Sequence, residues 1–124
     1  MQKYLLSIDQ GTTAMKVALY TTEGQIVGLN TQPITHYYPH QGWVEQNPFD
    51  ILHSIKKGIS EVTESSKISP KDVLAVAINN QGETIIAFDK HTGEPIYNAI
   101  VWQDLRTASF CKSINNQTNK KMLF

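Results

Sequence analysis

An octapeptide near the amino terminus, Asp-Gln-Gly-Thr-Thr-Ala-Met-Lys, combines side chains that a phosphate-binding site needs. Gly11 has no side chain, so it lets a phosphate approach the backbone closely. Thr12 and Thr13 offer hydroxyl and backbone N–H donors to phosphate oxygens. Asp9 is suited to hold hydrated magnesium, and Lys16 supplies a nearby positive charge. Taken alone, the octapeptide is also typical of a tight turn that closes a hairpin, since such turns favour Gly and Thr.

The apolar segment before this octapeptide predicts a β-strand that ends on Asp9. Residues 4–8 are nearly continuously apolar, which indicates a strand covered on both faces. Ligands of α/β proteins bind at the carboxyl ends of such strands. Residues 15–20 then alternate in polarity, a turn follows at residues 21–24, and residues 26–29 predict another strand. The chain is therefore expected to open with three antiparallel strands.

A helix and a second buried strand are predicted after an irregular segment at residues 31–46. Asn47 followed by Pro48 is typical of a helix start, because asparagine caps the helix and proline fits its first turn. The apolar face of this helix consists of Ile51, Ile55, Ile59 and Val62. The helix is expected to end at residues 65–67, and residues 73–78 predict a buried strand. A strand, a crossover helix and a parallel return predict an α/β fold with a mixed sheet.

The last third of the chain predicts a hairpin and a short helix. Residues 84–88 and 96–102 read as paired strands. Asp104 is placed to cap a final helix, in which Cys111 is expected to belong to the core. Residues 115–124 are expected to form a disordered tail, because their first part is polar and aperiodic.

Composition excludes several classes of partner. The 124-residue chain has 11 basic and 11 acidic side chains, so no charge excess favours nucleic acid or an acidic membrane. The single cysteine excludes an internal disulfide, and the four histidines lack metal-ligand spacing. The apolar start is too short for a signal peptide or a membrane span, so a soluble cytoplasmic protein is expected. The chain, residues 1–124, is expected to be one domain, short for an enzyme that closes two lobes around a nucleotide.

Three further segments, together with the octapeptide, carry a resemblance to a known family. They are residues 38–48, residues 78–84 with the sequence Ile-Asn-Asn-Gln-Gly-Glu-Thr, and residues 89–107, which include Asn-Ala-Ile-Val-Trp-Gln-Asp-Leu-Arg. In this order and spacing they closely resemble the amino-terminal region of the glycerol kinases, within the FGGY family of carbohydrate kinases. The resemblance runs from about residue 4 to residue 111. A long ordered set of motifs is far more specific than one motif, so the simple-turn interpretation of the octapeptide becomes much weaker.

The resemblance implies a fold, a reaction and a phosphate site. The fold would be a ribonuclease-H-like (actin-like ATPase) lobe, one of two that close over ATP, Mg²⁺ and a polyol for transfer of the γ-phosphoryl group. Asp9 would be the magnesium-associated aspartate, acting through water, and Thr12 and Thr13 would contact phosphate. Lys16 stands where glycerol kinases usually carry arginine, so the charge is kept but the bidentate fork is lost.

The resemblance places the acceptor site at Gly82, Glu83 and Trp102. Glycerol kinases have Arg-Glu where this chain has Gly82-Glu83, so the guanidinium that grips substrate hydroxyls is missing. Its loss is expected to weaken glycerol binding by a factor of roughly 30 to 1,000. Trp102 would form an aromatic wall against the carbon face of a polyol, with an ordinary core tryptophan as the alternative. Structural roles are expected for Trp43, Glu45, Asp104 and Arg106.

Part of the catalytic machinery is expected to lie outside this chain. In the family the general base and the adenine pocket lie beyond the point where this sequence stops, and Asp9 and Glu83 are not expected to replace the base. The chain is therefore expected to be a truncated amino-terminal lobe with little or no turnover alone. A non-catalytic nucleotide- or polyol-binding remnant and the lobe of a sister FGGY sugar kinase are the alternatives. Expected partners are the missing carboxyl-terminal lobe, a small polyol or sugar, and further copies of the chain through exposed apolar surface.

Overall fold

A four-stranded mixed sheet and one long helix organise the computed structural model, which describes residues 2–117. The strands are β1 (Tyr4–Gln10), β2 (Ala14–Thr21), β3 (Ile26–Pro33), β4 (Glu45–Gln46), β5 (Val73–Asn80) and β6 (Ala99–Ile100), and the helices are α1 (Pro48–Ser66) and α2 (Ala108–Gln117). The main sheet has the order β3-β2-β1-β5. In it β1 pairs antiparallel with β2, β2 antiparallel with β3, and β5 parallel with β1. The predicted α/β class with a mixed sheet is confirmed.

Helix α1 begins and ends where its capping residues predict. The side chain of Asn47 accepts a hydrogen bond from the backbone N–H of Phe49, and Pro48 occupies the first helical position. At the other end Lys67 takes a left-handed conformation with φ of 55°, and its N–H bonds to the last turn. These caps fix the length of the helix that lies across the sheet.

The hydrophobic core lies between α1 and one face of the main sheet. Its buried members are Leu6, Ile8, Met15, Val17, Leu19, Ile34 and Val62. The helix lies close to β2 at Gly58, where an added Cβ would lie 2.8 Å from Met15 Cε and 2.9 Å from Val17 Cγ2. The residues of β2 that alternate with this core point to the opposite face, where Lys16 is exposed.

Strands β1 and β5 are more exposed than the sequence predicts. Buried residues of β1 alternate with half-buried and exposed ones, so only one of its faces is covered within residues 2–117. The prediction that β5 is buried is wrong within residues 2–117, because Val76 is 53% and Ile78 is 71% exposed. The physical reason is that α1 packs mainly on β2 and β3, so most of β5 is left uncovered.

The hairpin predicted after β5 is reduced to single bridges. Ile85 pairs with Ile100 and Phe88 pairs with Pro95, while β6 contributes only two residues and pairs with β4. Backbone hydrogen bonds, such as that from Ile96 N–H to the carbonyl oxygen of Ala87, still join the two segments, and the Tyr97 hydroxyl donates to Glu45 Oε1.

Helix α2 differs from its prediction at both ends. It begins at Ala108, after the expected cap at Asp104. Cys111 is exposed, which corrects its predicted core position, because the described side chains of α2 lie on the surface apart from half-buried Ala108. Residues 115–117, where the predicted tail begins, are helical, and residues 118–124 lie outside the described part of the chain. Neither α1 nor any other helix within residues 2–117 has the length and apolar character needed to cross a membrane.

Candidate functional site

The turn between β1 and β2, residues 11–13, is here called the phosphate turn. The N–H of Gly11 donates to the carbonyl oxygen of Ala14 at 3.1 Å, and a Cβ at residue 11 would lie 2.8 Å from that oxygen. The turn therefore requires glycine at this position. Ile34 donates to the carbonyl oxygen of Thr13 at 3.0 Å and so ties the turn to the end of β3. Within residues 2–117 the backbone N–H groups of Thr12 and Thr13 have no acceptor, so both are available to a ligand.

Asp9, Lys16 and Asn79 form a row across three strands beside the phosphate turn. Asp9 lies opposite Lys16 on β2 and opposite Asn79 on β5. The Asn79 amide donates to Asp9 Oδ1 at 2.9 Å, and Oδ2 has no hydrogen-bond partner among the described residues. Lys16 makes no ion pair with any of those residues. The row thus presents an ammonium group and a carboxylate oxygen that do not neutralise each other.

A pocket of about 270 Å³, here called the Trp102 pocket, brings together two residues that the sequence predicts for one site. Glu83 and Trp102 both line it. Glu83 has φ of 62°, a left-handed conformation that is uncommon for any residue except glycine. A Cβ at Gly82 would meet no atom of the described residues within 4 Å, so within this part of the chain the space beside Glu83 is open. Trp102 is 52% exposed and is therefore not a core tryptophan.

One hydrogen bond joins the phosphate turn to the Trp102 pocket. The indole N–H of Trp102 donates to Thr12 Oγ1 at 2.9 Å. The hydroxyl oxygen of Thr12 is thereby occupied as an acceptor, and its hydrogen is left to donate elsewhere. The predicted phosphate-contacting residue and the predicted aromatic wall are thus in direct contact, although 90 residues separate them.

The charged residues beside the pocket are bound to one another. Arg106 donates to Glu45 Oε1 at 2.7 Å and to Asp104 Oδ2 at 2.8 Å, and its guanidinium lies 3.9 Å from the centre of the Trp43 ring. Hydrogen bonds from Arg106 lower the pKa of Asp104 to about 2. Burial opposes ionisation of Glu45, but hydrogen bonds led by that from Asn98 outweigh it and lower the pKa of Glu45. Asp104 and Arg106 thus form an ion pair, which agrees with the structural roles that the sequence predicts for them.

Sequence reasoning did not identify Asn79 as a partner of Asp9, nor two buried glutamines, Gln46 and Gln81, that lie behind the phosphate turn. A signal for Asn79 was present, because it is a polar residue at the carboxyl end of an apolar strand. Nothing in the sequence indicated that the two glutamines meet.

Comparison with known proteins places this arrangement in a family. Residues 4–124 match the profile of the FGGY family of carbohydrate kinases, N-terminal domain. The chain is 45% identical over 117 residues to the glycerol kinase of Alkaliphilus oremlandii, an alignment that covers 94% of this chain and 23% of that protein. Among solved structures, the glycerol kinase of Plasmodium falciparum with ADP superposes with a TM-score of 0.84 at 32% identity, covering 95% of this chain and 24% of that one.

A second solved structure extends the similarity beyond glycerol kinases. The gluconate kinase of Lactobacillus acidophilus superposes with a TM-score of 0.85 at 26% identity, covering 94% of this chain and 23% of that one. The chain therefore spans less than a quarter of the length of each of these three proteins. The chain therefore belongs to the FGGY family of carbohydrate kinases and corresponds to its amino-terminal domain.

Proposed function

We propose that this domain forms the phosphate side and part of the acceptor side of an ATP-dependent kinase for a small polyol, with glycerol as the first candidate. The observation that carries the proposal is the 2.9 Å hydrogen bond between Trp102 and Thr12. It sets the wall of the Trp102 pocket against the phosphate turn, and transfer between two bound molecules needs such proximity. The 45% identity to a glycerol kinase supports the same assignment, and the strand order supports a ribonuclease-H-like, actin-like lobe.

The phosphate turn offers donors suited to the phosphates of ATP. The N–H groups of Thr12 and Thr13, which have no acceptor within residues 2–117, and the hydroxyl hydrogen of Thr12 would bind phosphate oxygens. Lys16 adds an ammonium group on the face of the sheet that also carries Asp9. Hydrogen bonds between charged groups and phosphate are stronger than neutral ones, so Lys16 would contribute to affinity.

The surroundings of Asp9 fit a magnesium ion that keeps most of its water. Magnesium in kinases is usually held by one or two carboxylates and by the substrate phosphates. Asp9 supplies one such carboxylate, oriented by Asn79 through Oδ1, while Oδ2 has no partner within residues 2–117. When bound, magnesium would neutralise charge on the transferred phosphoryl group.

Glu83 and Trp102 would orient the polyol. The carboxylate accepts hydrogen bonds from hydroxyl groups, and the indole ring covers the carbon face. In the transfer the acceptor oxygen bonds to the γ-phosphorus, the bond to the bridging oxygen of ADP breaks, and the hydroxyl proton leaves to a base. We assign no base to this domain, because the proposal already gives Asp9 to magnesium and Glu83 to the acceptor. Turnover is therefore proposed to need residues beyond these 124.

Isothermal titration of the chain with magnesium-ATP tests the phosphate side. We expect saturable heat that disappears in Asp9→Ala. The matched variant Asp50→Ala, which removes a carboxylate from the first turn of α1, should bind like the original chain. A folded chain without any heat of binding, or an Asp9→Ala variant that binds undiminished, would contradict the proposal.

A larger acceptor is the second candidate, and the open space at Gly82 favours it. An added Cβ there meets nothing within 4 Å among residues 2–117, so a sugar or sugar acid longer than glycerol would have room beside Glu83. Titrations with glycerol, a ketopentose and gluconate, each in the presence of magnesium-ATP, distinguish the two candidates. Tightest binding of glycerol supports the first candidate, and tightest binding of a sugar or sugar acid supports the second.

A further inference from the structure

Two buried glutamines lie between the phosphate turn and the Trp102 pocket. Gln46 on β4 is 0% exposed, and Gln81, the residue after β5, is 8% exposed. Gln81 Nε2 donates to Gln46 Oε1 at 2.7 Å, and Gln46 Nε2 donates to the carbonyl oxygen of Thr12 at 2.9 Å. Buried amide groups are strongly held in such arrangements, because a polar atom without a partner is costly away from water.

These bonds continue into a closed ring, here called the amide ring. Thr84 Oγ1 donates to Gln81 Oε1 at 3.1 Å and accepts from the backbone N–H of Trp102 at 3.3 Å. The indole N–H of Trp102 then returns to Thr12 Oγ1. The ring consists of Thr12, Gln46, Gln81, Thr84 and Trp102. Two atoms of Thr12 belong to the ring: the carbonyl oxygen, which accepts from Gln46, and the hydroxyl oxygen, which accepts from Trp102.

Further hydrogen bonds determine how the side-chain amides of the ring are oriented. The second hydrogen of Gln46 Nε2 faces His36 Nε2 at 3.0 Å, so the amide has partners on both sides. The backbone N–H of Gln81 donates to the carbonyl oxygen of Gln10 at 2.8 Å, which holds its segment to the end of β1. With these partners the orientation of each glutamine amide is determined, and the bond to Thr12 holds the indole N–H of Trp102 in place.

We propose that Gln46 and Gln81 are positioning residues for phosphoryl transfer, because the amide ring holds the Trp102 side chain in its position beside Thr12. A first ligand that binds against Trp102 would then change the affinity of the phosphate turn for a second ligand. The ligands in this proposal rest on the function proposed above, whereas the link from Gln81 to Trp102 is a property of the ligand-free domain. Gln81 forms no hydrogen bond with Trp102 and acts on it through Thr84 and through Gln46.

Nuclear magnetic resonance of the ligand-free chain tests the link. The chain has two tryptophans, so Trp43→Phe identifies the indole N–H signal of Trp102. In Gln81→Met, which removes the bonds to Gln46 and Thr84, we expect this signal to shift and its hydrogen to exchange with solvent about fivefold faster, the factor that corresponds to weakening the indole bond by about 1 kcal/mol. Thr84→Val should give the same change, and Thr84→Ser, which keeps the hydroxyl group, should restore the original signal. Gln32→Met removes an amide that bonds elsewhere and should leave the signal unchanged.

The positioning role is overturned if folded Gln81→Met and Thr84→Val chains keep the original Trp102 signal and exchange rate, even when their melting temperature falls. A purely structural role would lower the melting temperature of Gln32→Met and Gln81→Met alike without moving the indole signal selectively. Thr84→Val decides the question if Gln81→Met does not fold, since Thr84 is only half-buried.

Titrations with magnesium-ATP, with and without saturating glycerol, then test the coupling. We expect glycerol to tighten magnesium-ATP binding in the original chain, by a factor that falls to about one in Thr84→Val. Independent binding of the two ligands to the original chain would overturn the coupling. If the original chain binds neither ligand, the proposed function fails, and the positioning role is decided by the ligand-free measurement.

Discussion

Asp104 is a buried carboxylate whose charge is maintained by Arg106. Its side chain is 3% exposed, and the hydrogen bonds from Arg106 hold its pKa at about 2, below the value of about 3.9 in an unfolded chain. A carboxylate with a depressed pKa stabilises the fold above the unfolded value and loses this effect as the pH falls through the folded value. We expect this residue to contribute roughly 2 to 3 kcal/mol to the free energy of unfolding at pH 7, lost between about pH 5 and pH 2.

Asp104→Asn isolates that contribution. Urea unfolding followed by circular dichroism should show the variant less stable than the original chain at pH 7, with a deficit that shrinks toward zero near pH 2. A deficit of the same size at both pH values would mean that geometry, not charge, accounts for the effect of Asp104.

Gly82→Arg tests whether the missing guanidinium limits glycerol binding. The open space at this position accepts a side chain, and a guanidinium offers five donors to hydroxyl groups. We expect calorimetric affinity for glycerol to rise at least about tenfold. Gly82→Met, which adds similar length without donors, is the control. Equal affinities of the two variants would contradict the expectation.

At the scale of elements, the contact between α1 and β2 depends on Gly58. Alanine favours a helix by about 1 kcal/mol over glycine, but its Cβ would crowd Met15 and Val17. We expect Gly58→Ala to lower the free energy of unfolding by about 1 to 3 kcal/mol, because overpacking outweighs helix propensity. Lys56→Ala, at an exposed position of the same helix, should change it by less than about 0.5 kcal/mol. A stabilised Gly58→Ala chain would show that the helix can move away from β2.

The elements also show how far local sequence determines structure. The caps at Asn47 and Pro48 allowed the start of α1 to be predicted, because capping depends on neighbours in the chain. The exposure of β5 was not predicted, since burial depends on which other elements cover a strand. The contact between Trp102 and Thr12 was not predicted, for a related reason, and neither was the amide ring. They join segments far apart in sequence, and no local pattern records that they meet.

For the whole molecule, β5 is the feature that should govern association. It forms one edge of the main sheet, its sequence Val73–Asn80 contains neither a charge nor a proline, and Ile78 is 71% exposed. Natural edges are usually protected by such residues against pairing with another chain. We expect the 124-residue chain to self-associate at high concentration, as a rise in mean mass by light scattering.

Ile78→Lys should reduce that association, because it places a charge on the exposed edge strand. The control Ile26→Lys adds the same charge on β3, the opposite edge, at a residue that is 60% exposed. A monodisperse monomer of the original chain at high concentration would contradict the expectation, and an equal effect of both variants would show that net charge alone is responsible.

The left-handed backbone conformation at residue 83 favours glycine for stability, whereas recognition of the substrate requires the side chain of Glu83. Glycine would adopt φ of 62° without the steric penalty, so Glu83→Gly would stabilise the fold by roughly 1 kcal/mol. The same change would delete the carboxylate of a residue that lines the Trp102 pocket. Laboratory evolution selecting only for heat resistance would therefore enrich glycine at residue 83 and discard recognition of the acceptor. A library of variants intended to stabilise this domain should therefore keep glutamate at residue 83.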